Sequence, residues 1–404
     1  MIALSGHMKR LPSSSPTSSG PPWEQQLMAI RDSLALTDDQ RALRDALRGL
    51  LADQLPAAEL RTMLDADPGY SPKLHDRLTA ELGLAGLTVP EEFGGRGLGP
   101  VEAFVMHTEL GHVLYPGPFL PSALAVGALL AAGDRAAAKR WLPLLADGSV
   151  TGTIAAAGMD GRWSPDPGHV RAHLTSQGWR LYGRCWYVIA ARVAGVVVVS
   201  ALAGSVPAMF LVEAGAPGLR ISAQRGLDLT RRVCVTAFDA TPAVLLGQGE
   251  QATAALGRVE RDFLLATASE AVGGIAWCLD AAVVHANDRE LGRPTGSFQG
   301  VAHACVEMLA SFQAAEAATG SAAAAAEAAA DEPKTAEAQT AARVAALESG
   351  LAYREVTEVT TRLFGGTGSV REHDARLYYR RAWSAERLAG GPQALRAALA
   401  DPDP

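Results

Sequence analysis

The chain has 404 residues, 48% hydrophobic and 20% charged, enough apolar sequence for a sizeable core and more than one domain. Its formal net charge of −7 is spread along the sequence with no basic block, so a nucleic-acid or anionic-membrane partner has no electrostatic basis. Cys185, Cys234, Cys278 and Cys305 lie far apart without redox spacing, and no histidine pairs with a second ligand at metal spacing, so the expectation is a reducing cytoplasm and no metal.

Residues 1–35 open with a Ser/Pro/Gly-rich run that lacks the apolar core of a signal peptide; they are expected to be a disordered extension. Thr37 with Gln40 makes a capping box, and Leu43, Leu47, Leu50 and Leu51 follow at helical spacing, so an amphipathic helix starts there. Helical texture then runs through residues 36–149, broken by two loops, "VPEEFGGRGLGP" (89–100) and "LYPGPFLP" (114–121). From 150 to 248 the texture changes to short runs of Val, Ile, Thr and aromatics split by Gly, Pro and Asp, the signature of a β domain. Residues 193–212 are uncharged and about as long as a membrane span. Ala203-Gly204-Ser205 and Pro207 nevertheless divide them into two β-branched runs, which predicts two buried strands around a turn and no span.

Helix returns over 249–404. It is interrupted by "RELGRPTGSFQGVAH" (289–303), where Gly292, Pro294 and Gly296 break the run between Arg289 and Gln299. Beyond the break, Phe298, Val301, Ala302, Cys305, Met308, Leu309 and Phe312 fall on one stripe, the pattern of a helix buried against neighbours. Alanine-rich sequence on both sides of Pro333 predicts two closely packed antiparallel helices joined by an Asp-Glu-Pro-Lys turn, with a disordered linker as the alternative.

Helix, β and helix in these proportions, with "VPEEFGGRGLG", "RELGRPTGSFQ" and "LFGGTGSVREHDARLYYRRA" in this order, resemble the acyl-CoA dehydrogenase family over roughly residues 36–392. The likeness is to the actinobacterial branch used on lipid and steroid side chains. It implies an α+β multidomain fold: an N-terminal helical domain, a middle β-barrel-like domain and a C-terminal four-helix bundle. It also implies a flavoprotein oxidoreductase that desaturates an acyl thioester, on CoA or a carrier protein, with FAD as hydride acceptor and an electron-transferring flavoprotein as electron acceptor. In the family, the arginine and glutamine around the helix break reach the adenosine diphosphate half of a neighbouring subunit's FAD. Here these are Arg289 and Gln299, with Leu291 and Phe298 beside them. A guanidinium suits a diphosphate because its fork donates two parallel charge-assisted hydrogen bonds. "GGTG", with Gly365 and Gly366, resembles the family's second contact, where missing side chains let backbone approach the cofactor.

The family pattern fails elsewhere. Its catalytic glutamate falls on Phe263 by one alignment and Ala389 by the other, and neither side chain can accept a proton. Glu260, Asp262, Glu270 and Glu386 are near in sequence, but a helix turns about 100° per residue, so a displaced carboxylate faces elsewhere. "TIAAAGMDGRWSPD" lacks the family's hydroxyl and acidic groups, and Arg362 replaces the glutamine before the glycine loop. On the strand that faces the flavin stand Tyr187 and Ile189; Tyr187 can stack on a ring, but Ile189 cannot donate a hydroxyl hydrogen bond. A one-residue slip would present Trp186 instead, and strand alternation makes the two exclusive. "EHD" (372–374) and Tyr378-Tyr379 read as structural.

The half of the cofactor site that a subunit lends thus survives, while the half for its own flavin and for proton removal has eroded. That asymmetry favours a subunit of a heteromer that completes the FAD site of a paralogous partner. A flavin-free scaffold or other enzyme on the same fold, and a homotetramer with a relocated base, are the alternatives.

Overall fold

The structure, a computed structural model, describes residues 36–159, 161, 169–287, 289–290, 293–294, 299–329, 335–368 and 373–401. Helix α1 (Asp38–Gln54) begins where the capping box predicts: Gln40 N donates to Thr37 Oγ1 at 3.2 Å, and Thr37 N to Gln40 Oε1 at 3.0 Å. Helices α2 (Ala57–Asp65), α3 (Pro72–Leu82), α4 (Pro100–His112), α5 (Phe119–Ala132) and α6 (Arg135–Ala146) complete the N-terminal layer. The 89–100 loop turns on a short 3-10 segment, and a Cβ at Gly95 would lie 2.0 Å from the Val89 carbonyl oxygen, so only glycine lets the loop close.

Strands β1 (Gly152–Ala155), β2 (Val170–Thr175), β3 (Gly178–Ile189), β4 (Val196–Ala203), β5 (Val206–Glu213), β6 (Leu219–Ala223) and β7 (Val233–Gln248) form one sheet. The pairing runs β4–β2–β3–β7–β5 and returns to β4, which closes a barrel; β1 adds to β4 and β6 to β7. Closure leaves those strands without a free edge. The apolar run at 193–212 is the β4–β5 hairpin, antiparallel from Val196↔Glu213 to Ala203↔Val206. Both faces of β4 are apolar for a reason: Val197, Val199 and Ala201 fill the barrel, while Val196 and Val198 meet α5 and the helical layer.

The C-terminal bundle holds α7 (Glu250–Asn287), α8 (Gln299–Ala328), α9 (Thr335–Leu363), the single turn α10 (Gly365–Gly368), α11 (Ala375–Leu388) and α12 (Gly391–Ala400). Between α7 and α8 lies the two-residue pair β8 (Arg289–Glu290) and β9 (Arg293–Pro294). The alanine-rich sequence forms the predicted pair of long helices. Ala322 and Ala326 of α8 pack with Ala342, Ala345 and Ala346 of α9 against Leu264, Leu265 and Ala268 of α7, small side chains allowing close approach. The turn around Pro333 and the first 35 residues lie outside the described residues. Residues 250–286 are long and apolar enough to cross a membrane, yet 89% of the most apolar window is buried inside the protein, as befits the bundle's central helix.

A buried ion network ties barrel to bundle. From α11, Arg381 Nε donates to Asp228 Oδ2 at 2.7 Å and Nη1 to Glu270 Oε2 of α7 at 3.1 Å. Thr230 Oγ1 accepts a third bond at 2.6 Å, and Arg231 also pairs with Glu270. Burial works against the Arg381 charge, but Asp228 and Glu270 outweigh it and hold the guanidinium above its usual range. The network therefore sets the β6–β7 loop, α7 and α11 relative to one another.

Candidate functional site

Tyr187, Ile189 and Phe263 come together from β3 and α7, joined by Leu388 of α11, Pro121 and Leu124 of α5, and Ile154 of β1. They surround a cleft of about 10 Å³, roughly the room one water needs. Phe263 is 2% exposed and belongs to an apolar cluster that includes Leu120, Leu124 and Ile154. The Thr153 hydroxyl, the polar side chain in the lining apart from the two aromatic tips, already donates to the Ile189 carbonyl at 2.6 Å. No carboxylate is among the described lining residues.

The exclusive choice between Trp186 and Tyr187 is overturned, because both line this cleft. The β3–β7 register shifts between Cys185 and Val188, and Tyr187 takes φ 55°, so a bulge cancels the alternation on which the choice rested. Tyr187 is 37% exposed; its N donates to Gln224 Oε1 at 3.3 Å and its hydroxyl to the Met159 carbonyl at 3.4 Å. Ala389 does not face the cleft either. It ends α11 and packs against the Leu264–Leu265 cluster, while its neighbour Leu388 takes the wall, a consequence of the helical turn per residue.

The nearby carboxylates are engaged elsewhere. Asp262 pairs with Arg261 at 2.8 Å, and Glu386 accepts from Arg354 Nη1 at 3.3 Å. Glu260 accepts from Gln339 at 3.1 Å; burial raises its carboxyl while Arg343 pulls it back down. Glu270 sits in the buried network. A larger cavity of about 230 Å³ between α1, α4, α7 and α11, lined by Trp277 and Tyr378, contains none of the expected site residues.

The second region is built around Gly365. Its φ of 58° favours glycine, and Gly365 and Gly366 are both exposed, with no described atom within 4 Å of where a Cβ would stand. Gln299 starts α8 and is exposed. Arg289 lies in β8 opposite Pro294, its side chain outside the described residues, as are Leu291 and Phe298. Phe364, just before the glycines, meets two imidazoles: His285 of α7 at 4.7 Å between ring centroids and His373 at 4.4 Å. His373 Nδ1 accepts from Ala375 N at 3.2 Å, which leaves the proton on Nε2. This column and the ion network escaped sequence reading, because each joins segments far apart in the chain with no periodicity to reveal them.

The two regions differ in what they offer a ligand. Besides its two aromatic tips, the described lining of the Tyr187 cleft offers one polar side chain, the Thr153 hydroxyl. The Gly365 face has the clearance that a dinucleotide backbone contact needs.

Comparison with known proteins decides the lineage. The model of the acyl-CoA dehydrogenase N-terminal domain matches residues 37–149, and that of the C-terminal domain residues 259–401. The chain belongs to the acyl-CoA dehydrogenase family. Among curated relatives, the acyl-CoA dehydrogenase IpdE2 of Mycobacterium tuberculosis is 30% identical over 88% of this chain and 94% of its own. FadE34 of the same organism is 31% identical over 88% of this chain, which spans about half (47%) of FadE34. Among solved structures, the ChsE4-ChsE5 complex from Mycobacterium tuberculosis superposes with TM-score 0.81 at 25% identity, covering 92% of this chain and 99% of that one. The Tcur3481-Tcur3483 steroid ACAD gives 0.80 at 27%, over 90% and 97%. The family resemblance and the helical–barrel–bundle fold read from the sequence both stand; FAD is the family's usual cofactor.

Proposed function

We propose that this acyl-CoA dehydrogenase is one subunit of a heteromer. Arg289, Gln299 and the Gly365–Gly366 backbone complete an FAD site whose flavin pocket and catalytic base belong to a paralogous subunit. When bound, FAD supplies the hydride acceptor for α,β-desaturation of an acyl thioester. This chain's part is to neutralise and orient the diphosphate, since buried phosphate charge without partners would be costly. An electron-transferring flavoprotein is the electron acceptor and the cytoplasm the setting of this reading.

One observation carries it: no carboxylate is among the described residues lining the small cleft at Tyr187, Ile189 and Phe263, while Gly365 and Gly366 are exposed with clearance around their Cβ positions. The two-component titles of the ChsE4-ChsE5 and Tcur3481-Tcur3483 structures are in keeping with it. The lack of a carboxylate among the described lining residues equally favours a second reading, a flavin-free protein on this fold. Visible absorbance separates the two. Expressed alone, the chain should be colourless; co-expressed with the same-family subunit encoded beside it, it should co-purify with flavin. A colourless, unassociated chain in both experiments would rule out the heteromer and leave the flavin-free reading.

A further inference from the structure

A second hollow lies far from the Tyr187 cleft. Trp277, in its wall, stands fourteen residues beyond Phe263 on α7, about 21 Å along the helix axis. The break between α1 and α2 makes room for it. Leu55 leaves helical geometry at φ −132° and ψ 56°, and Pro56, with no N–H to continue the ladder, caps the start of α2. Leu51, Leu55 and Leu60 line the hollow from these two helices, and Trp277, Leu377 and Tyr378 line it from α7 and α11. At the break, Ala52, Pro56 and Ala57 are small and exposed, so the lining reaches the surface there as a mouth.

The enclosed volume is about 230 Å³. An apolar cavity of roughly 150 Å³ takes a benzene ring, whereas protein interiors keep few voids larger than one water. Polar groups in the lining already have protein partners. Arg48 holds Glu109 with two hydrogen bonds, at 2.8 and 3.1 Å, and His112 Nε2 pairs with Asp280 at 3.1 Å. Asp374 pairs with Arg61, and the Tyr378 hydroxyl donates to the His112 carbonyl at 2.6 Å. An anionic ligand would therefore find no unpaired cation among the described lining residues and would leave water without compensation. What the hollow offers is hydrocarbon and one aromatic wall, in which Trp277 and Tyr378 stack at 3.8 Å and 7°.

We propose that this hollow is a binding site for a small uncharged hydrocarbon, a single ring with a short branch, which enters between α1 and α2 and packs against Leu60, Leu377 and the Trp277–Tyr378 wall. Dispersion drives the fit, since lining atoms that face unfilled space lack contacts on that side. The site is independent of the flavin reading, because none of the residues assigned to FAD lines it.

Ethylbenzene and phenylacetate test the proposal: they share the ring and the two-carbon branch and differ in the carboxylate. Each is titrated calorimetrically into the full chain and into Ala57→Trp and Ala58→Trp, with circular dichroism to check that helix content is kept. Both substitutions fall at exposed positions of α2, but Ala57 lines the hollow and Ala58 does not. Ala52→Trp repeats the test from the α1 lip of the mouth. Ethylbenzene should bind the wild type with Kd on the order of 0.1–1 mM, and phenylacetate at least about tenfold more weakly. Ala57→Trp and Ala52→Trp should weaken ethylbenzene by about tenfold or more by filling the mouth, while Ala58→Trp stays within about twofold of wild type. Absence of ethylbenzene binding would overturn the proposal. So would equal affinity for phenylacetate, undiminished binding in the two lip variants, or an equal loss in Ala58→Trp.

Discussion

The cleft at Tyr187, Ile189 and Phe263 and the surface at Gly365 belong to one chain, yet opposite physics shapes them. The first is continuous with the hydrophobic core: Phe263 and Ile154 are members of the same apolar cluster, and Leu388 packs against it. No carboxylate is among its described lining residues. The second has two exposed glycines whose Cβ positions are clear of other atoms, and an exposed Gln299. The contrast teaches that one chain can pack aromatic and apolar side chains tightly at one place and leave backbone exposed at another, and the proposed heteromer is a reading of that difference.

Four experiments would sharpen or break this contrast. The largest effect is expected where barrel, α7 and α11 are tied together. Arg381→Ala leaves Asp228 and Glu270 buried without their shared cation and should cost about 3–5 kcal/mol in urea unfolding. Slightly smaller is Phe263→Ala. If the cleft is core, truncation should cost about 3–4 kcal/mol and leave the flavin content of the complex unchanged. A stable Phe263→Ala protein that gains flavin by itself would show instead that the cleft is a plugged site.

Acid should act on the scaffold that both regions share. His75 and His107 are buried, and desolvation pushes each down to about 4 from an ordinary 6.5, with Asp76 opposing at His75 and Glu270 at His107. The unfolded chain then takes up protons first. Their stabilisation is complete above pH 6.5 and falls as pH drops toward 4, by up to roughly 3 kcal/mol per histidine, which pH-dependent melting would record. Flavin lost from the complex at a pH where the helices remain intact would place the responsible group on the open face. The smallest stability change is expected for Gly366→Ala: a Cβ there meets nothing, so unfolding should shift by less than about 0.5 kcal/mol. FAD retention by the complex should nevertheless fall about tenfold if backbone lies against the cofactor, and no fall would deny the surface its role.

Much of the architecture was legible because it depends on local pattern. The capping box at Thr37 and Gln40, the divided apolar run that became β4 and β5, and the paired alanine-rich helices were each written in a few adjacent residues. That Ile189 offers no hydroxyl was legible too, since side-chain identity does not depend on where it points. What failed was reasoning that extended a local rule through an irregularity. The bulge at Tyr187 placed Trp186 and Tyr187 in one cleft, and the end of α11 turned Ala389 away and Leu388 inward.

By itself, then, the sequence determined the family and the succession of helices, barrel and bundle, because periodicity and side-chain identity are properties of neighbours in the chain. Only the tertiary structure decided that Trp186 and Tyr187 line one small cleft, that Gly365 is exposed, and that Phe364 meets both His285 and His373. Volume, clearance and ring contact arise between separate segments, and only packing in three dimensions brings those segments within reach of each other.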